Sequence, residues 1–241
     1  MENICEPELL DRTTTVLQFQ GCEGNSVLTL TNFACHPTVM DGVTDQVSSD
    51  YVAGFYRAMG EQLGGEHLFL QGAIGGWVQP VKEGRSFELA DTYGRSVADA
   101  ALAALAGAVS VPEPEIQFAS KKLTLALENE GFKALAAAGV LDLPPGDTVQ
   151  TEVAWFRIGP VQFATHPGET SPFYALETRK LMGAGPSFVL GLTLDALGYI
   201  LKPEYFTNPE MKFADYLTSM SVGPRTGPAV MDALGEIIPG R

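Results

Sequence analysis

Residues 14–19 and 26–33 are β-rich runs separated by Gln20-Gly21-Cys22-Glu23-Gly24-Asn25, a composition that predicts a hairpin. Ser48 or Ser49 then offers a helix cap. Val52, Phe55, Tyr56, Met59 and Leu63 follow at i, i+3, i+4, i+7 and i+11, which is one face of a helix. Gly64-Gly65 ends that helix, and residues 67–70 form a short apolar strand running into Gln71-Gly72-Ala73-Ile74-Gly75-Gly76. Strand, helix and strand in this order make a βαβ unit, and such crossovers are nearly always right-handed.

The rest of the chain keeps alternating. A second helix is expected over residues 87–108, after which Pro112 and Pro114 break the chain. Residues 116–127 read as a strand and residues 131–140 as a helix. Pro144-Pro145-Gly146-Asp147 is a turn sequence. Residues 148–158 and 161–165 flank Gly159-Pro160 as a second hairpin. Pro167-Gly168-Glu169 leads into a helix at 172–182, followed by a strand at 187–193 and a short helix at 228–236. The expected class is α/β, a mixed β-sheet with flanking helices assembled from βαβ units and hairpins. Residues 112–115 are the best internal boundary, but residues 1–241 read as a single domain.

Charge narrows the partners. Asp and Glu number 29 against 15 Lys and Arg, a net charge of −14. So acidic a chain is repelled by phosphate backbones and by anionic membrane surfaces, which argues against nucleic acid as a partner. No apolar run approaches the ~20 residues needed to span a bilayer. Residues 1–12 carry Glu2, Glu6, Glu8 and Asp11 and lack the basic and apolar regions of a signal peptide. Cys5, Cys22 and Cys35 form neither a disulfide framework nor a metal-binding spacing.

Functional residues of α/β sheets gather beyond the carboxyl ends of strands. Three predicted strands end suggestively: at Asn32-Phe33-Ala34-Cys35-His36-Pro37-Thr38, at Gln71-Gly72-Ala73-Ile74-Gly75-Gly76-Trp77, and at Thr165-His166-Pro167-Gly168-Glu169. His36 reads as a zinc ligand or as a hydrogen-bonded histidine closing a strand. Glu169 reads as a ligand, as a general base, or as a first-turn carboxylate favoured by the dipole of the following helix. His166 stands three residues before Glu169, but Pro167 prevents a shared helical face. His67, at the start of an apolar strand, reads as structural. The loop of Gly75 and Gly76 lacks the Gly-Lys-Ser/Thr of a phosphate-binding loop, though its backbone N–H groups could line a pocket or meet an oxyanion. Asp41, Asp45 and Asp50 form a loose acidic cluster, of which Asp50 stands between the His36 loop and the helix. No Gly-x-Ser-x-Gly elbow is present, which argues against a serine α/β hydrolase.

Taken in order, five segments resemble the neutral/alkaline ceramidase family. They are Leu30-Thr31-Asn32-Phe33-Ala34-Cys35-His36-Pro37-Thr38, Ser48-Ser49-Asp50-Tyr51, Phe69-Leu70-Gln71-Gly72-Ala73-Ile74-Gly75-Gly76, Ala164-Thr165-His166-Pro167-Gly168-Glu169, and Leu197-Gly198-Tyr199-Ile200-Leu201-Lys202-Pro203-Glu204-Tyr205. The resemblance covers the latter part of the family's catalytic domain. It implies an amide hydrolase in which zinc activates a water to cleave an N-acyl amide, with an N-acyl lipid or related amide as substrate. It implies His36, Glu169 and Tyr199 as metal ligands, with Tyr199 also a hydrogen-bond donor to the reacting oxygen. Asp50, Gly75, Gly76 and His166 then become pocket candidates. A further family histidine lies upstream of the matched region, so a truncated domain with three ligands is expected. Either His166 or a partner chain or second copy would complete the site. Where ceramidases carry a serine important for turnover, this chain reads Gly75-Gly76-Trp77-Val78-Gln79-Pro80, and Gln79 is the nearest polar residue. Family members are usually secreted or periplasmic. A non-catalytic remnant or partner subunit of a split protein is the alternative reading.

Overall fold

A computed structural model describes residues 1–81, 84–143 and 146–239. A two-residue strand, β1 (Glu2–Asn3), precedes the predicted hairpin of β2 (Thr15–Gln20) and β3 (Ser26–Phe33), paired antiparallel from Thr15↔Asn32 to Phe19↔Leu28. Helix α1 (Tyr51–Gln62) buries Tyr51, Phe55, Ala58 and Met59; Phe55 and Met59 are on the face its spacing predicts, Val52 and Leu63 pack against it partly buried, and Tyr56 is exposed. Its cap is Asp50 rather than either serine: the Asp50 carboxylate accepts from Tyr51 N, while Ser48 Oγ accepts from Asp50 N. Strand β4 (Glu66–Gln71) pairs parallel with β3, completing the βαβ unit. Strand β5 (Val78–Gln79) pairs antiparallel with β1.

Helix α2 (Phe87–Ala106), capped by Ser86, lies on α1. The two backbones meet at paired glycines. A Cβ on Gly94 would fall 2.2 Å from Tyr51 O, and one on Gly54 would fall 2.7 Å from Asp91 O. Only a residue without a side chain permits that approach.

Strand β6 (Ile116–Ala126) is joined to β7 (Thr148–Ile158) through helix α3 (Glu130–Ala137), which Asn129 caps. Pro144 and Pro145 of the predicted turn lie outside the described residues. Strand β8 (Val161–Thr165) returns antiparallel to β7, as the Gly159-Pro160 signal predicts. Next come β9 (Glu169–Thr170), helix α4 (Pro172–Met182) capped by Ser171, and β10 (Ser187–Leu190), which pairs parallel with β8. Strand β10 stops short of the predicted residue 193. Leu192 and Leu194 take left-handed φ of 51° and 73°, which no strand accepts. The chain closes with β11 (Tyr199–Ile200), a 3-10 turn at Pro203–Phe206, α5 (Ala214–Ser219) and α6 (Thr226–Ile237).

The strands divide into a three-stranded sheet ordered β2-β3-β4 and a four-stranded sheet ordered β10-β8-β7-β6, with β1-β5 and β11-β9 as separate pairs. Strand alternation explains the layering. Val16, Phe33 and Phe69 face α1 and α2. Leu17, Leu30 and Leu70, on the opposite face, meet Phe156, Phe163 and Phe188 of the larger sheet. Those three rings stack with centroids 4.4 Å apart at each step. On the far face, Val153, Trp155, Ala164 and Val189 pack against α4 and α6. The order is therefore helices, sheet, sheet, helices: α/β as expected, but with two packed sheets in place of one. Asn32 joins the layers, its buried amide donating to Leu70 O and Val189 O and accepting from Val189 N.

Candidate metal centre

His36 lies just past the end of β3, and one carbonyl fixes it. Val78 O accepts from His36 N at 2.8 Å and lies 2.7 Å from His36 Nδ1. A carbonyl can only accept, so Nδ1 carries the hydrogen and Nε2 of the neutral ring presents a lone pair. That Nε2 stands 3.2 Å from Glu169 Oε1. Oε1 is buried and has no hydrogen-bond partner. Two lone pairs held face to face repel unless a proton or a cation sits between them.

Glu169 does not open a helix. It belongs to β9, and α4 begins only at Pro172 behind its Ser171 cap, so the helix-dipole reading of this carboxylate falls. Its partner is β11, parallel and in register Tyr199↔Glu169. Residues opposite one another on adjacent strands share a face, about 4.8 Å apart. The two strands are tied by Glu169 N to Gly198 O and Ser171 N to Ile200 O, and Tyr199 N donates to Met220 O. Burial first, and the negative charge of Glu169 second, push the Tyr199 phenol well above its ordinary pKa. Tyr216 pushes the same way, and Trp77 opposes it.

The loop after β4 touches both Glu169 and His36. A Cβ on Gly75 would fall 2.6 Å from Glu169 O, so only glycine lets the loop lie against β9. Gly75 N donates to Thr170 O. That N–H is therefore taken, which removes it as an oxyanion donor. Gly76 and Trp77 follow with φ of 83° and 58°, turning the chain so that Val78 O reaches His36.

Asp50 is a clamp. Its buried carboxylate accepts from Val39 N, Met40 N and Tyr51 N, holding the segment that leaves His36. Its own φ is 54°, an uncommon value for a residue other than glycine. Tyr51 Oη donates to Cys35 O at 2.6 Å, fixing the residue before His36. Burial raises the Cys35 thiol to about 12, so this neighbour stays protonated at neutral pH. An apolar cleft of about 280 Å3, lined by Phe33, Cys35, Tyr51, Tyr93 and Val97 among others, opens beside it.

Two sequence candidates turn elsewhere. His166 is fully buried with Nε2 on Thr178 Oγ1 of α4, and burial lowers its pKa to about 4. It faces the helical layer rather than His36. Gln79 gives its amide to Glu2 Oε1 across the β1-β5 pair. His67 Nε2 meets Leu63 O, in keeping with a structural role. Among the described residues no three His, Cys, Asp or Glu side chains converge to hold a metal. His36, Glu169 and Tyr199 would offer a metal an imidazole, a carboxyl and a phenol. The orphaned Glu169 Oε1 opposite His36 Nε2 fits a zinc ion, whose ligands are nitrogen, oxygen and sulfur.

No protein-family model matches the chain, and no curated protein matches it in sequence. Solved structures match its fold. A ceramidase complexed with C2 superposes with a TM-score of 0.68 at 16% identity, over 96% of this chain and 48% of the other. A neutral ceramidase from Pseudomonas aeruginosa superposes with a TM-score of 0.64 at 18% identity, over 92% of this chain and 45% of the other. This chain thus spans about half the length of the structures it matches.

Proposed function

From the premise of a ceramidase-like fold, we propose that the chain is a zinc-dependent hydrolase acting on an N-acyl amide, with His36, Glu169 and Tyr199 as the metal-holding residues. The observation that carries this reading is the 3.2 Å approach of His36 Nε2 to a buried Glu169 Oε1 that has no hydrogen-bond partner. Zinc in such a site supplies Lewis acidity, polarising a carbonyl and making water more acidic. The chain's own residues prepare for it. Val78 O selects the His36 tautomer with a free Nε2. Glu169 contributes a carboxylate at a half-buried position, with Oε1 itself out of solvent. Tyr199 contributes a phenolic oxygen on the same strand face. Three protein donors leave an open position, the usual arrangement of catalytic zinc.

Metal content of the purified chain, by elemental analysis, tests the reading against His36→Ala. About one zinc per chain, lost in the variant, supports the site, and N-acyl amides of differing chain length are then screened for hydrolysis. Zinc missing from the wild type after incubation in zinc-supplemented buffer sinks it.

A second reading, that another polypeptide completes the site, has its own support. Phe118 is in register with Phe156 and Phe163 on the face between the sheets, yet it is 68% exposed, and Ile116 on the same strand is 73% exposed. Leu68 of β4 is also largely exposed, so the inter-sheet core is uncovered at β6 and β4. Uncovered apolar faces of this kind mark contact surfaces. In that case zinc uptake would rise on adding a polypeptide that covers this face or on self-association, measured by light scattering alongside metal content.

A further inference from the structure

The turn that brings Val78 O to His36 is strained. Gly76 and Trp77 take φ of 83° and 58° in succession. A bulky residue keeps such a backbone only where its surroundings over-determine it. Released, the turn would relax, and the carbonyl of the next residue would move with it.

Residues 3–5 supply the constraint. Asn3 stands in register with Val78 in the β1-β5 pair. Ile4 N donates to Trp77 O at 3.2 Å, and Cys5 N donates to Gly76 O at 3.3 Å. This strap therefore meets each residue of the turn, ending at the one whose carbonyl lies against both His36 N and Nδ1.

The Asn3 side chain shapes the strap. Asn3 is 2% exposed, yet its amide is fully used. Oδ1 accepts from Cys5 N and Glu6 N, both at 3.0 Å, and Nδ2 donates to Leu9 O at 2.8 Å. An asparagine that bonds to backbone two and three residues on folds the chain into a turn. Cys5 N is thereby shared between Asn3 Oδ1 and Gly76 O. A Cβ on Gly76 would lie 3.5 Å from Asn3 Oδ1, so the amide sits directly against the turn. The strap is fastened independently further on. Glu6 pairs with Lys202 and accepts from Tyr205 Oη at 3.2 Å, and Asp11 pairs with Arg179 at 2.9 Å. Losing the Asn3 amide would therefore free residues 3–5 without detaching the segment.

We infer that Asn3 is a positioning residue for His36, holding Val78 O against the imidazole by way of the turn at Gly76 and Trp77. The inference rests on the metal-site reading above for the use made of the free Nε2. How the ring is held follows from the hydrogen bonds alone.

The test reads the ring first and the metal second. The chain has three histidines. Nitrogen NMR on isotope-labelled histidine resolves their tautomers at alkaline pH, and His36 is assigned by its absence from His36→Gln. The metal-free wild type should hold His36 with the hydrogen on Nδ1. In Asn3→Ala the other tautomer should gain population. Zinc affinity, measured by competition against a chromophoric chelator, should fall about tenfold, the usual loss when a partner orienting a ligand is removed. Asn3→Asp keeps an acceptor for Cys5 N and Glu6 N and should restore the wild-type tautomer. Ile4→Pro deletes the N–H that Trp77 O accepts and should shift the tautomer as Asn3→Ala does, which decides the matter if the alanine variant does not fold. A wild-type tautomer or wild-type zinc affinity in Asn3→Ala overturns the inference and leaves the metal site standing. So does a wild-type tautomer in Ile4→Pro, or an Asn3→Asp chain that behaves like Asn3→Ala. A wild-type chain that takes up no zinc overturns the metal-site reading instead, and the tautomers still decide whether Asn3 sets the ring.

Discussion

The layered body and the candidate metal centre are built on different terms. In the body, strands of up to eleven residues and helices of up to twenty bury one face each, and the contacts are apolar: the Phe156, Phe163 and Phe188 stack, and the α1–α2 pair closed at Gly54 and Gly94. Around His36, Glu169 and Tyr199 the strands are two residues long, and the contacts are hydrogen bonds to backbone and left-handed turns at Asp50, Gly76, Trp77 and Gly198. Apolar layers supply most of a domain's stability without direction. Short pairs and tight turns supply direction at some cost in strain. Substitutions in the body should therefore change stability and leave zinc affinity alone, and substitutions at the centre should do the reverse.

The sharpest contrast comes from Phe163→Ala. Removing a fully buried ring costs about 3–5 kcal/mol. Denaturant melts should register that loss, while the folded fraction keeps wild-type zinc stoichiometry; a loss of zinc at equal folded fraction breaks the division. Next in size is a pH effect in the body. Burial depresses His166 to about 4 from 6.5. The unfolded chain takes up the proton first, so this contribution is intact above pH 6.5 and is lost as pH falls toward 4. It amounts to roughly 3 kcal/mol at about 1.4 kcal/mol per unit. Unfolding free energies measured across that window should fall more steeply for wild type than for His166→Asn; parallel curves reject the assignment.

Asp50→Asn stands between the two regions. Its carboxylate serves three backbone N–H groups at once, and an amide serves them poorly, so a loss of about 2 kcal/mol is expected. A joint fall in zinc affinity would tie this clamp to the centre, and unchanged affinity would assign it to the body. Gly75→Ala should change stability less than zinc binding, because its Cβ would press on the Glu169 carbonyl. Competition titration expects at least a tenfold weakening, and wild-type affinity would mean the loop yields. Smallest of all is Arg225→Ala, which breaks an exposed pair with Glu128 and should shift stability by less than about 0.5 kcal/mol.

The same division separates what sequence reading reached from what it missed. The long elements were legible because burial of one face writes a period into the residues: Val52, Phe55, Tyr56, Met59 and Leu63 are enough to draw α1. The pairs β1-β5 and β9-β11 carry no period in two residues and form only because distant segments meet. In sequence Glu169 accordingly reads as the start of a helix. Motif order singles out His36, Glu169 and Tyr199; in the fold Glu169 lies in register with Tyr199 and its Oε1 is 3.2 Å from His36 Nε2. His166 is a candidate by residue type alone, which says nothing about which way a side chain faces. Tyr51, Trp77 and Tyr216 look like ordinary core aromatics in a sequence. The acceptor that sets the His36 tautomer is not a side chain at all.

That last point bears on how the centre tolerates genetic change. Every amino acid at position 78 offers the same backbone carbonyl, so alanine scanning through residue 78 reads as silence at the very atom that orients His36. Sequence drift in this loop is buffered as long as the turn of Gly76 and Trp77 survives. Chemical synthesis reaches what mutation cannot: an ester between Val78 and Gln79 would replace a strong acceptor with a weak one, loosening the imidazole while every side chain in the protein stays as it is.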